Sequence, residues 1–211
     1  MSRPSENRLT SKKKTRLAEE ADPEERKTYQ KGQAKLDVGR SIFIDEFGVH
    51  SGMNRHYARA PEGLRAEMIE PFQKEVKLSV IGSIRLAGVG PTLSIEGAID
   101  GEIFHQYVQQ FLLPQLRKGD IVLLDNAKIH HKQQTIELIE TVGAKVKHIP
   151  AYSPDFNPME QCISKIKTDL RSRKPKTRIT IERTIAKSMN EVTTKNIRGW
   201  FKHCGYTCPD N

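Results

Sequence analysis

Two short apolar runs each close on an acid. Ser41-Ile-Phe-Ile leads into Asp45-Glu46, and Ile121-Val-Leu-Leu leads into Asp125-Asn126. Short apolar runs bounded by polar residues read as buried strands. A third acid, Glu160, follows the turn Tyr152-Ser-Pro-Asp-Phe-Asn-Pro158-Met. Pro158 suits the first position of a helix, which puts Glu160 on its first turn. Two strand ends and a helix start can bring three carboxylates to one spot. Three such groups repel each other unless a cation sits between them. A divalent metal with oxygen ligands is the natural occupant.

The remaining elements follow from periodicity and punctuation. Asp22–Lys35 reads as a helix opened by Asp-Pro, with little apolar face. Strands are expected at Ser41–Asp45, Arg55–Ala60, Lys77–Leu86 and Thr92–Glu96. Gly88, Gly90 and Pro91 break the last two into an antiparallel hairpin. Ile103, Tyr107, Phe111 and Leu112 recur at helical spacing within Asp100–Leu116. Ile121–Leu124 is a strand, Lys132–Val142 a helix stopped by Gly143, and Ala144–Ile149 a strand. A helix runs from about Pro158 to Ser172, and Ile181–Val192 forms a terminal helix that Ile197–Phe201 continues after a break. The fold class expected is α/β, a mixed sheet flanked by helices. Asp45 and Asp125 are expected at the C-terminal ends of adjacent parallel strands, the edge where open α/β sheets bind ligands.

Charge narrows the partner. The net charge is +9. From Gln161 onward twelve Lys or Arg accompany only four acids. Such a balance favours a polyanion, although a basic run also serves as a solvated helix face. A carboxylate-bound metal on a basic chain points to phosphodiester chemistry on nucleic acid. Each acid also has a plainer reading. Asp45 can cap a turn, with Glu46 the working acid instead. Asp125-Asn126 can be a simple turn, and Glu160 an ordinary first-turn acid favoured by the helix dipole. A nucleotide-hydrolysing domain also ends a strand in Asp-Glu, but the sequence holds no G-x-x-x-x-G-K-[ST] loop.

Other features exclude more than they assign. Cys162, Cys204 and Cys208 form no paired C-x-x-C motifs, and reduced thiols are expected. Cys204, Cys208 and His203 form a weak alternative metal set. Trp200 beside Phe201 reads either as a base-stacking surface or as an anchor for the final helix. No apolar signal region opens the sequence, and no apolar stretch approaches the roughly eighteen residues that span a membrane. A soluble intracellular protein is expected.

The acids sit in recognisable surroundings. Phe43-Ile-Asp45-Glu46, Leu123-Leu-Asp125-Asn126-Ala127 with His130, and Tyr152-Ser-Pro-Asp-Phe-Asn157-Pro158-Met-Glu160 resemble the three catalytic blocks of mariner-superfamily DDE transposases. The bacterial insertion-sequence branch is the nearest in pattern, and 34 residues separate Asp125 from Glu160. Phe47 stands where relatives commonly carry Ser, and Ile163 where they carry Trp.

The resemblance spans about residues 10 to 175. It implies a ribonuclease H-like fold and a DNA nuclease and strand transferase dependent on Mg²⁺ or Mn²⁺, with two ions. Carried over by position, Asp45, Asp125 and Glu160 are the catalytic metal ligands. Glu46, Asn126 and His130 support them or contact DNA. Lys165, Lys167, Arg171, Arg173 and Lys174 would hold DNA phosphates.

The implied partners are double-stranded transposon ends and target DNA, with a homodimer in the DNA complex. Only 44 residues precede Asp45, so an upstream helix-turn-helix product or frameshift fusion is expected to supply end recognition. A prokaryotic cytoplasm, at the nucleoid, is the implied location. The implied organisation is a polar, partly disordered segment with a helix (1–36), a catalytic domain (37–175) and a basic helical tail (176–211). The alternatives are a ribonuclease H-like nuclease without strand transfer and an inactive DNA-binding remnant.

Overall fold

The computed structural model describes residues 18–54, 60–65 and 75–209. The strand expected at Arg55–Ala60 and the first dozen residues lie essentially outside these. In chain order the elements are α1 (Pro23–Gln33), β1 (Ser41–His50), β2 (Lys77–Arg85), β3 (Gly88–Val89), β4 (Leu93–Glu96), α2 (Gly101–Tyr107), β5 (Ile121–Leu124), α3 (Gln133–Glu140), β6 (Lys145–His148), α4 (Met159–Arg173), α5 (Arg178–Asn190) and α6 (Thr194–His203). The strands form one six-stranded mixed sheet in the order β3-β2-β1-β5-β6, with β4 also paired to β2. Antiparallel β1–β2 and parallel β1–β5 and β5–β6 pairs make it mixed. The expected hairpin is present: Leu78–Ile81 of β2 pairs antiparallel with β4.

Two apolar layers follow from the two-residue period of the strands. Phe43, Phe47, Val49 and Leu123 point into one layer with α4, α5 and α6. Ile42, Ile44, Val122 and Leu124 point into the other, against Phe104, Tyr107 and Ile139 of α2 and α3. Phe43, Ile44 and Leu123 have no exposed surface. Full burial of such a side chain stabilises the fold by about 1.5–3 kcal/mol.

Several boundaries differ from expectation, each for a physical reason. β1 does not end at Asp45 but runs on to His50. Phe47 and Val49 continue the alternation and pair with Val80 and Leu78 of β2. Asp45 is therefore in mid-strand. The helix expected over Asp100–Leu116 holds regular geometry only to Tyr107. It then widens at Val108–Leu112 and tightens at Leu113–Gln115, where Pro114 has no N–H to continue the ladder. The terminal helix begins at Arg178, because Thr177 and Thr180 form a reciprocal cap. A second reciprocal cap, Thr193 with Asn196, starts α6 as a separate helix. Gly143 stops the α3 segment as expected, at φ 75°, a backbone state that costs glycine little.

α1 is fastened by polar and aromatic contacts rather than an apolar face. Asp22 caps it, accepting from the N–H groups of Glu24 and Glu25. Arg26 forks onto both oxygens of Asp155 at 2.9 and 2.8 Å. Tyr29 stacks on Phe156 with ring centroids 5.1 Å apart. Tyr206 donates its hydroxyl to the Phe156 carbonyl at 2.8 Å. Its oxygen lies 2.9 Å from the Tyr29 hydroxyl. Gln33 donates to the Cys204 carbonyl. Phe201 is buried in the core and Trp200 packs partly against it, so the pair anchors α6. No helix among the described residues is long and apolar enough to cross a membrane.

Candidate active site

Register and parity place the two strand-borne acids. The last β1–β5 pair is Phe43 with Leu123. Two residues further along each chain stand Asp45 and Asp125, level with one another. Both share the parity of Phe43 and Leu123, so both point to the α4 face. Beyond this level β5 has ended while β1 runs on paired only with β2, which opens a notch on the β5 side of β1. The segment from Ile149 to Asn157 and the start of α4 line it. The resulting cleft of about 400 Å³ is walled by Asp45, Asp125, Asn126, Ala127, Ile149 to Pro154, Asn157 and Glu160.

Asp45 is 9% exposed. One carboxylate oxygen accepts the Glu46 N–H at 2.8 Å. The other accepts Nδ2 of Asn157 at 2.9 Å. Burial, then the charges of Glu160, Glu46 and Asp125, push its pKa up to about 8. Opposite Asp45 on β2 is Gly82. A Cβ there would stand 2.7 Å from the Met159 methyl group. The missing side chain lets the first turn of α4 lie close to the sheet beside Asp45.

Asp125 is in contrasting surroundings. Its side chain is about half exposed, and Oδ1 lies 2.6 Å from Nδ1 of His130. It also accepts the Ala127 N–H at 2.9 Å. Burial opposes its charge, but His130 and that N–H outweigh burial and hold the carboxyl below its usual range. His130 is wholly buried. Its Nε2 reaches Glu46 Oε1 at 3.0 Å, and its ring tilts against Phe104 at 4.5 Å. Burial favours the neutral imidazole. Asp125 and Glu46 overcome that and lift it to about 10. Glu46, one residue along from Asp45, points to the opposite face of the sheet. It meets His130 beneath the cleft and is not part of the cleft wall.

Glu160 stands on the first turn of α4 at the cleft surface. Partial burial raises its pKa, Lys167 opposes that rise, and Asp125 adds to it. Asn157 sets the entry to this helix. Its Oδ1 accepts the Met159 N–H at 3.0 Å while its Nδ2 holds Asp45. One amide thus ties the helix start to the β1 acid. Asn157 stood inside the sequence motif, and an Asx residue before the first helical turn was its readable signal. His148, whose Nδ1 faces the Asp125 carbonyl at 3.2 Å, gave no such signal. Tyr152 is, with Asn157, a wall residue that sequence reasoning passed over. It is 59% exposed with φ 54°, a left-handed backbone that costs a non-glycine residue on the order of 1–3 kcal/mol.

The remaining residues singled out from the sequence fall at varied distances from this centre. Asn126 lines the cleft and accepts Nε2–H of His131 at 2.7 Å. Lys167 lies over the Phe47 ring at 6.0 Å, and its charge reaches Glu160. Lys165 pairs with Asp169 at 3.3 Å, and Arg173 lies 3.8 Å from Glu191. Arg171 is half-buried near the end of α4, and exposed Lys174 closes that helix in a left-handed turn. Cys204 and Cys208 are buried free thiols. Among the described residues no group of three or more His, Cys, Asp or Glu forms a ready metal cage, either at His203, Cys204 and Cys208 or in the cleft. The cleft acids nevertheless fit a hard divalent cation in donor type, and their mutual repulsion is what such an ion relieves.

Known structures share this arrangement of elements. The Mos1 transposase paired-end complex with left transposon end superposes at a TM-score of 0.72 and 15% identity, over 93% of this chain and 63% of that one. The Mos1 strand transfer complex gives 0.72 and 16%, with the same coverage. The isolated catalytic domain of Mos1 mariner transposase gives 0.62 and 14%, over 90% and 93%. This chain spans about 63% of the longer Mos1 chains. At these identities the likeness is one of fold, and that fold is ribonuclease H-like. No curated protein sequence matches significantly. Residues 40–182, which include all three cleft acids, match the family described as DDE superfamily endonuclease, and the chain belongs to that family.

Proposed function

We propose that this chain is the catalytic domain of a DNA transposase, cleaving transposon ends and joining them to target DNA with Mg²⁺ or Mn²⁺. The observation that carries the reading is the level placement of Asp45 and Asp125 on one face, with Glu160 on the same cleft wall. Asp45, Asp125 and Glu160 would hold two ions. Such ions neutralise phosphate charge and favour attack by water or by a 3′-hydroxyl. Structures of the Mos1 paired-end complex with Mg and with Mn support this choice of metals.

The protein's own groups prepare the site. His130, donating to Asp125 and Glu46, keeps Asp125 charged and aimed into the cleft. Asn157 fixes Asp45 against the helix that carries Glu160. Asn126 borders the cleft where a DNA strand would pass. Lys165, Lys167, Arg171, Arg173 and Lys174 offer phosphate contacts along and beyond α4, so affinity falls steeply with salt. Paired ends call for a homodimer in the DNA complex, and an upstream helix-turn-helix product or fusion would read the end sequence. The setting is the prokaryotic nucleoid, for an insertion sequence.

One assay tests the reading. The chain, alone and fused to its upstream frame, is incubated with labelled element ends, a target plasmid and Mn²⁺. Joined products are expected. Cleavage without joining would replace strand transfer with simple nuclease action. DNA retention without any metal-dependent product would reduce the chain to a binding remnant.

A further inference from the structure

We infer that Tyr152 is a base-stacking post at the rim of the cleft, holding an unstacked nucleobase beside the bond to be cut. This rests on the DNA-processing reading above and adds a positioning residue to it. Three observations converge on the ring. Tyr152 is a large hydrophobic side chain left 59% exposed, although water disfavours that surface. Its backbone is held at φ 54°, where aromatic residues are genuine outliers. It belongs to the wall of the same cleft as Asp45, Asp125 and Glu160.

The neighbours make the position rigid. Pro150 and Pro154 bracket it with fixed φ angles, and Ser153 donates its hydroxyl to the Ala151 carbonyl at 3.0 Å. A backbone outlier of this kind persists where its surroundings over-determine it, and such outliers gather at ligand clamps. The acids beside it exclude an anionic partner for the ring itself. They leave the phosphate to the metal position and the π-face to a neutral, flat group one nucleotide away. A base offers its face only at an open duplex end or when turned out of the stack. That is the geometry a phosphodiester presents when one strand is peeled toward a cleft.

The test uses the whole chain and a duplex with a 3′ overhang that carries 2-aminopurine at the junction, in Ca²⁺. Wild type and Tyr152→Phe are expected to bind and to quench the fluorescence. Tyr152→Leu and Tyr152→Gly should lose the quench and bind about tenfold more weakly. Tyr152→Gly should melt at or above the wild-type temperature, because glycine accepts this φ. Quenching and affinity unchanged in Tyr152→Leu and Tyr152→Gly would overturn the role while leaving the DNA reading in place. Failure of wild type to bind the duplex, with no Mn²⁺-dependent product, would bring down both. A dimer that Tyr152→Gly dissolves without altering DNA affinity would assign the ring to a second copy of this chain and also overturn the inference.

Discussion

Asp45 and Asp125 stand level on neighbouring strands and share one cleft, yet the two sides of that cleft are built on opposite electrostatic plans. On the β1 side the carboxylate is buried among other acids, and its pKa is pushed up to about 8. On the β5 side it is half exposed and supported by a buried histidine, which holds its pKa down. The same residue type therefore resists ionisation on one side and holds its charge readily on the other. A cation brought to the cleft relieves the first and competes for the second. The contrast teaches that His130 already holds one carboxylate in its charged form, while the other has no buried cation beside it to do the same.

The largest expected effect treats the two sides alike. Asp45→Asn and Asp125→Asn should each lower the Mn²⁺-dependent cleavage rate by about a thousandfold or more, since metal-assisted charge stabilisation is worth several kcal/mol. Single-turnover cleavage of labelled ends measures this, and near-normal rates in either variant would remove that acid from the site. His130→Ala breaks only the β5 side. It strands Glu46 and Asp125 around a buried hole, costs about 3 kcal/mol of stability, and lowers activity on the order of 10–100-fold. Chemical denaturation and cleavage together check it. Loss of stability alone would make His130 purely structural.

The sharpest form of the comparison is thermal melting in EDTA. Asp45→Asn forfeits one hydrogen bond, worth about 1 kcal/mol. It also removes a carboxylate that burial and three acids disfavour, and a net gain of about 1 kcal/mol is expected. Asp125→Asn should instead lose about 1 kcal/mol, a figure kept small because the group is half exposed. Shifts of the same sign would erase the distinction between the two sides.

The smallest effect is a control on the same helix. Asp169 accepts the Ser188 hydroxyl at 2.5 Å and pairs with Lys165. The hydroxyl first, and then Lys165, hold its carboxyl below the ordinary range. A depressed carboxylate stabilises the fold above its unfolded pKa and loses that contribution as pH falls through the folded one. Asp169→Asn should cost about 1 kcal/mol at neutral pH and almost nothing near about pH 2. Denaturation at the two pH values reads this, with cleavage at neutral pH unchanged.

Part of this was legible in the sequence. The apolar runs before Asp45 and Asp125 located both acids, and the Pro158 turn located Glu160, because each signal is local. The length of β1 was readable in principle, since Phe47 and Val49 keep the alternation. The polar pair Asp45-Glu46 masked it. The partition between the two faces was not readable. It depends on the Phe43–Leu123 register, and a shift by one residue would have turned the acids away from each other. The Glu46–His130 bond joins residues 84 apart in the chain, and no periodicity encodes such a meeting. The two helices after Lys174 were blurred because their starts are set by threonine caps rather than by apolar spacing.

The Tyr206 hydroxyl fastened to the Phe156 carbonyl has a consequence in time. Phe156 lies in the turn that delivers Glu160, and Tyr29 of α1 closes the same clasp. A nascent chain can pair β1 with β2 and add β5 while still on the ribosome. It cannot lock this turn until Tyr206 has emerged. The order of synthesis thus delays the finished cleft, because the turn that carries Glu160 waits for a residue 50 positions further along the chain.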